Sequence, residues 1–225
     1  KYEKRKKYRK MNPFSKKNME LVLRPLGRSN PITVQVLGIC SALAVTVQVK
    51  GALVMGASVM AVTAFSSLII SAMRNAIPGR IRIIVQLAVV AAFVILIDQL
   101  LKAYMFDTWR NLSVFIGLII TNCIIMGRIE AFALGNTPWK SFLDGLGSGL
   151  GYALILLTVA VVREFFGTGT LFGFEPLKHF MTDTLGYVPN GFMILPPMAL
   201  IILGIIVWVQ RSMDKSLQEK EQDGW

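Results

Sequence analysis

Cys40 and Cys123 are the only cysteines in this 225-residue chain, and neither sits in a polar loop. Each lies in a small or polar patch inside an otherwise apolar run: Val36-Leu37-Gly38-Ile39-Cys40-Ser41-Ala42 and Ile119-Ile120-Thr121-Asn122-Cys123-Ile124-Ile125. Asn30 lies ten residues before Cys40, and Ser113 ten before Cys123. Both are good helix N-cap types. Ten helical residues rise about 15 Å, half of a ~30 Å hydrocarbon core, so both thiols are expected near the membrane midplane. A buried free cysteine is ordinarily just a small hydrophobe. Two at matched depth invite a chemical reading. A disulfide there has no oxidant to form it. Two thiolates are half of the four-cysteine set used by zinc or by a [2Fe–2S] cluster. His179, the single histidine, falls in an expected outer loop, so the other two ligands must come from a partner.

Other residues compete for a chemical role. Asp98 and Asp144 are acids within or at the ends of apolar spans, which makes them candidates for an ion path. The simpler readings are an i, i+4 pair of Asp98 with Lys102, and an acidic first turn at Asp144 facing the helix dipole. Arg128, Glu130, Arg163 and Glu164 read as structural charges at span ends. Gly145-Leu146-Gly147-Ser148-Gly149-Leu150-Gly151 suggests a nucleotide loop, but Leu150 and Tyr152 stand where G-x-G-x-x-G needs glycine, and no strand precedes it. Glycines four apart suit close helix packing in a membrane. No Ser-His-Asp set, P-loop or soluble zinc motif is visible, so no complete active site is expected in this chain alone.

The elements that must carry these residues are membrane helices. The chain is 54% hydrophobic and 16% charged, against roughly 45–50% and 25% for soluble domains. Six apolar stretches run approximately Pro31–Val49, Ala52–Met73, Ile83–Leu101, Ser113–Met126, Leu150–Val162 and Phe192–Val209. Turns are expected at Arg74–Arg80, Asn136-Thr137-Pro138 and Val188-Pro189-Asn190-Gly191. The net charge of +11 is not spread over a face, because Lys1–Arg28 holds 11 of the 24 Lys and Arg residues. A basic tail before an apolar run points to a membrane surface rather than nucleic acid. Together with Ala42-Leu43-Ala44 it imitates a cleavable signal peptide, but the next apolar run follows so closely that a retained first span is expected.

With six spans and the N-terminus inside, 19 Lys and Arg residues fall on the inner side and 5 on the outer, so both termini are expected in the cytoplasm. The reading is therefore an all-α membrane protein of six helices. A tail over 1–29 precedes a membrane domain over 30–209, and a C-terminal tail covers 210–225. Three spans per half make two inverted repeats, about 30–110 and 111–209, each opening on a Cys-bearing span and carrying a later arginine, Arg74 or Arg163. Inverted repeats of this kind place their sites at the midplane between broken helices. Gly38 and Asn122 are the expected break points.

Several long motifs, in order, carry a family resemblance: Asn30-Pro31-Ile32-Thr33-Val34-Gln35-Val36-Leu37-Gly38-Ile39-Cys40-Ser41-Ala42-Leu43-Ala44-Val45-Thr46, Arg82-Ile83-Ile84-Val85-Gln86, Asp98-Gln99-Leu100-Leu101-Lys102-Ala103-Tyr104, and Gly117-Leu118-Ile119-Ile120-Thr121-Asn122-Cys123-Ile124-Ile125-Met126-Gly127-Arg128. Over roughly Asn30–Trp208 the chain resembles the D-type branch of the paired D-type and E-type membrane subunits of bacterial sodium-translocating NADH:quinone oxidoreductases. A related complex couples ferredoxin to NAD, and its E-type homologue typically has Pro-Leu after the cysteine. Ser41-Ala42 and the Tyr187–Gly191 turn favour the quinone-reductase branch.

The resemblance implies a six-subunit translocase of the bacterial inner membrane. In it two homologous six-span subunits, one D-type and one E-type, hold an intramembrane [2Fe–2S] centre with two cysteines from each, here Cys40 and Cys123. Other subunits carry NADH, FMN and FAD. Electrons cross from an NADH-side flavin to a flavin outside and return to ubiquinone while sodium is exported. The alternatives are an E-type member of the ferredoxin-coupled complex, a stand-alone inverted-repeat transporter with incidental thiols, or a purely structural membrane protein.

Overall fold

The computed structural model describes residues 22–23, 25, 30–75, 77–168 and 191–213, and among these every regular element is helical. The basic tail through residue 21, Lys178, His179, the Val188–Asn190 turn and the segment after Met213 lie outside the described residues. A short helix α1 (Ile39–Val45) leads through a tight turn into the long α2 (Val49–Met73). A 3-10 turn (Gly79–Ile81) then opens α3 (Arg82–Tyr104). At Met105 the chain turns into α4 (Phe106–Ile120), breaks at Thr121–Asn122, and resumes as α5 (Cys123–Arg128) with a π-helical turn over Ile129–Ala133. The longest helix, α6 (Pro138–Thr168), follows, and α7 (Pro196–Met213) closes the described chain after a 3-10 turn at Gly191–Ile194.

Among the described residues, five helical segments are long and apolar enough to cross a membrane: Val49–Met73, Gly79–Tyr104, Phe115–Ala133, Pro138–Gly167 and Pro196–Met213. The first apolar stretch, 31–49, is the exception: it is broken as expected near Gly38, but its helical pieces are too short for it to count as a sixth membrane-length helix. Asn30 does act as a cap, its Oδ1 accepting from the Ile32 and Thr33 N–H groups at 3.0 and 3.4 Å. Only one turn follows before the backbone leaves helical geometry at Val36–Gly38. Val36 (φ 57°) and Gly38 (φ +81°) both lie in the left-handed region. That is native to glycine but strained for a β-branched residue.

Ser113, unlike Asn30, is not a cap. It lies inside α4, which begins at Phe106, and its hydroxyl donates to Arg110 O at 3.4 Å. The ten-residue depth arithmetic therefore fails for both cysteines, because neither is preceded by ten helical residues starting at those caps. The expected breaks at Gly38 and Asn122 are present. The turn at Asn136–Pro138 is also where the sequence places it, with Pro138 opening α6.

The core is the pairing of α2 with α6. A Cβ built on Gly56 would meet the Ala153 Cβ at 2.9 Å, one on Gly149 the Met60 Cα at 2.6 Å, and one on Gly145 the Ala64 Cα at 2.8 Å. The partners advance by four residues along α2 as they retreat by four along α6, so the two helices run antiparallel. The glycine run thus lets two backbones approach closely, as small residues do between membrane helices.

The two halves share one element order: a broken Cys-bearing segment, a long helix, then a third helix. Their long helices, α2 and α6, run antiparallel, and the expected boundary between the halves at 110/111 falls inside α4. The outer helices contribute only narrow stripes to this core. These are Gln86, Val90 and Val94 from α3 and Ala199, Ile202 and Leu203 from α7. Ile84, Leu96, Leu100, Ile201, Ile205 and Trp208 face outward, as apolar side chains do against lipid or a neighbouring protein.

Candidate functional site

The two helix breaks meet. The Gly38 N–H, which has no helical partner, donates to the Cys123 Sγ at 2.9 Å, so the break in one repeat is satisfied by the thiol of the other. The sequence accounts for both sides. Gly38 adopts a left-handed conformation, and a Cβ there would lie 2.5 Å from the Ile124 Cδ1 and 3.3 Å from the Tyr152 ring. Asn122, a costly residue in mid-span, is buried and caps α5, its Oδ1 accepting from the Ile124 N–H at 3.2 Å. Its amide also donates to Ser41 Oγ at 3.3 Å. No water exists in a bilayer core to satisfy such groups, and here the opposite repeat does so.

Cys40 and Cys123 each fall in the first turn of the helix that resumes after a break. Both are free thiols, Cys40 exposed and Cys123 half-buried. The buried Tyr152 of α6 reaches between the breaks. Its hydroxyl is 2.8 Å from Ser41 Oγ. Among the described residues no three His, Cys, Asp or Glu side chains converge, so the site offers two soft ligands with one thiol facing outward. Sulfur donors and a backbone N–H aimed at one of them suit an iron–sulfur or zinc group completed from outside the chain.

Gly38→Ala is expected to destabilise the protein by about 2 kcal/mol or more, combining the left-handed penalty with the clash on Ile124. Gly79→Ala, where a Cβ meets nothing within 4 Å, is expected to be nearly neutral. Thermal unfolding of the detergent-solubilised protein compares them, and equal melting points would refute the role assigned to Gly38.

The acids do not join this site. Asp98 makes no pair with Lys102. It accepts from the Trp109 indole N–H at 2.8 Å, while the Lys102 ammonium sits 5.2 Å from the centre of the same ring. A helix-internal pair is thus replaced by a contact from α3 to α4, for which Trp109 carries no signal in the sequence. Asp144 does not open its helix, which begins at Pro138. It is buried, and both its carboxylate oxygens bond to the Arg128 guanidinium, Nε to Oδ2 at 3.0 Å and Nη2 to Oδ1. Glu130 pairs with Arg82 and accepts from Gln86 Nε2 at 3.1 Å.

Arg163 and Glu164 are structural charges, as the sequence suggests, but both are buried within the protein. Arg163 donates to Leu43 O at 3.3 Å, Thr46 Oγ1 at 2.6 Å, Met193 O at 3.3 Å and Ile194 O at 2.5 Å. Glu164 accepts from the Val49 N–H at 2.6 Å. The cation therefore holds the C-terminal end of α1 and the anion the N-terminal end of α2, each the sign that the helix terminus favours. The other repeat answers in kind. Arg74 Nη1, at the end of α2, donates to Asn136 O at 2.7 Å in the turn between the α5 segment and α6. Each long helix thus grips the turn of the opposite repeat.

Membrane-length helices interrupted by two breaks, with a cysteine after each break, define a multi-pass membrane protein. Residues 18–207 match the family model described as "Rnf-Nqr subunit, membrane protein", and the chain belongs to that family. Within it the chain resembles the D-type component of the Na(+)-translocating NADH-quinone reductase. It is 56% identical to that component of Aeromonas hydrophila over 203 residues, which is 90% of this chain and 96% of the relative. It is 55% identical to the one from Aeromonas salmonicida over the same shares. The Shewanella baltica OS155 relative is 52% identical over 88% of this chain and 94% of its own length. These relatives are named as subunits of an oxidoreductase complex.

Proposed function

We propose that the chain is the D-type membrane component of a Na+-translocating NADH-quinone reductase of the bacterial inner membrane. In this reading Cys40 and Cys123 give two thiolates to a [2Fe–2S] centre, and a homologous E-type partner gives the other two. The single observation that carries the reading is the meeting of the two breaks, where the Gly38 N–H reaches the Cys123 sulfur at 2.9 Å while Cys40 faces out of the chain. When bound, the cluster accepts and releases one electron at a time. The chain's own residues hold and tune it. Cys40 and Cys123 ligate, the N–H of Gly38 stabilises extra negative charge on one sulfur, and Asn122 and Ser41 keep the two breaks in register. NADH, FMN and FAD belong to those other subunits. The excess of Lys and Arg in the N-terminal tail supports an orientation with both termini in the cytoplasm.

Iron and acid-labile sulfide analysis of the purified complex, with electron paramagnetic resonance of the reduced state, tests the assignment. The expected result is a [2Fe–2S] signal beyond any cluster carried by soluble domains. A complex whose membrane portion holds no iron would overturn it.

A further inference from the structure

Ser41 connects the two breaks, and its proton count fixes how. A hydroxyl has one proton to give and two lone pairs to accept with. Ser41 Oγ gives its proton to Gly38 O at 3.0 Å. The Asn122 Nδ2 group, which can only donate, donates into one lone pair at 3.3 Å. The Tyr152 hydroxyl at 2.8 Å must therefore donate into the remaining lone pair. The resulting relay runs from Tyr152 O–H to Ser41 O–H to the Gly38 carbonyl, and the N–H of that same Gly38 is the group on Cys123 Sγ. Tyr152 and Ser41 are both buried, and the Tyr152 ring edge packs 3.3 Å from where a Gly38 Cβ would stand. Ring and hydroxyl thus confine Gly38 from two directions.

We propose that Tyr152 is a positioning residue that, through Ser41, holds the Gly38 N–H on the Cys123 sulfur and thereby raises the reduction potential of the centre. The proposal rests on the cluster reading given above. A hydrogen bond to a ligand sulfur offsets the negative charge added on reduction, so weakening it makes the centre harder to reduce. Tyr152→Phe keeps the ring against Gly38 and deletes only the hydroxyl, while Ser41→Ala removes the relay itself.

The test is an electron-paramagnetic redox titration of the whole purified complex, with iron content measured alongside. Each variant is expected to retain iron, to show a more negative midpoint potential, and to alter the spectrum of the reduced cluster. The double variant is expected to shift no further than Ser41→Ala alone, because both changes act on one relay. An unchanged potential in Tyr152→Phe would overturn the proposal, as would shifts in the two variants that simply add. A second measurement separates this from the cluster reading itself. In a Cys40→Ser background, alkylation of Cys123 by N-ethylmaleimide is expected to proceed at a different rate once Tyr152 is changed to Phe. If the complex proves iron-free, the cluster reading fails, and an unchanged alkylation rate would then sink the positioning role as well.

Discussion

On the proposed assignment, serine in place of Cys40 or of Cys123 is expected to prevent assembly of a [2Fe–2S] centre and to cut quinone reduction by at least about 100-fold, a loss beyond that of changing residues that only support metal ligands. The argument is one of acidity rather than size. A thiol ionises near pH ~8.5 and far lower beside a metal, whereas a serine hydroxyl stays protonated, so each variant leaves a three-thiolate site. The fold should survive, because the serine hydroxyl at position 123 still accepts from the Gly38 N–H that now sits 2.9 Å from sulfur. The two single variants and the double variant are expected to be equally inactive, as residues that act as one unit are. NADH oxidation by an artificial acceptor should persist, since the proposed assignment places that chemistry in other subunits. Iron retained in the double variant, at the wild-type ratio and with the same spectrum, would refute the assignment.

The second large effect is expected at Arg163. Replacing it with Met leaves the carbonyls of Leu43, Met193 and Ile194 without their common donor, and Thr46 without its short 2.6 Å bond. Hydrogen bonds to a charged group are worth about 1.5–3 kcal/mol each, and an orphaned buried acceptor adds a desolvation cost. Part of this is offset because the variant no longer buries a cation. A net loss of about 3 kcal/mol is expected, or roughly 6–12 °C in melting temperature for a chain of this size. Arg163→Lys should recover little of it, since an ammonium cannot span four acceptors that the planar fork reaches together. Thermal unfolding of the solubilised complex measures both. A melting temperature within about one degree of wild type for Arg163→Met would show that the clamp does not hold the repeats together.

The cysteines, the breaks and the glycine stripe are legible in the sequence because each departs from a local rule. Gly38 and Asn122 are out of place in an apolar run, and glycines four apart have a known use between membrane helices. The clamp is not legible. Arg163 looks like any arginine near a span end, and nothing in its neighbourhood reveals that its acceptors lie 120 and 31 residues away at Leu43 and Ile194. Tyr152 is hidden for the same reason, since its partner Ser41 stands 111 residues earlier. The depth estimate for the cysteines fails differently. Asn30 is a cap in sequence and structure alike, but a cap says only that a turn begins. Val36 and Gly38, both at positive φ, end that turn before it becomes a span. Charge pairing is legible only as far as sequence neighbours, so the spacing pairs Asp98 with Lys102 although the indole of Trp109 has the better geometry.

The dependence of the first segment on the second half also bears on how the protein is made. α1 has only seven residues, far short of the ~20 that cross a bilayer on their own. Its polar partners, Cys123, Tyr152 and Arg163, all belong to the second half of the chain. At roughly 5–20 residues per second of synthesis, Arg163 leaves the ribosome some seconds to tens of seconds after Leu43. Throughout that interval the nascent segment must wait at the membrane surface or in the insertion machinery, with its carbonyls still hydrated. The two breaks can thus meet only after α6 has been inserted, so the part of the membrane domain that is made first is among the last to be fixed in place.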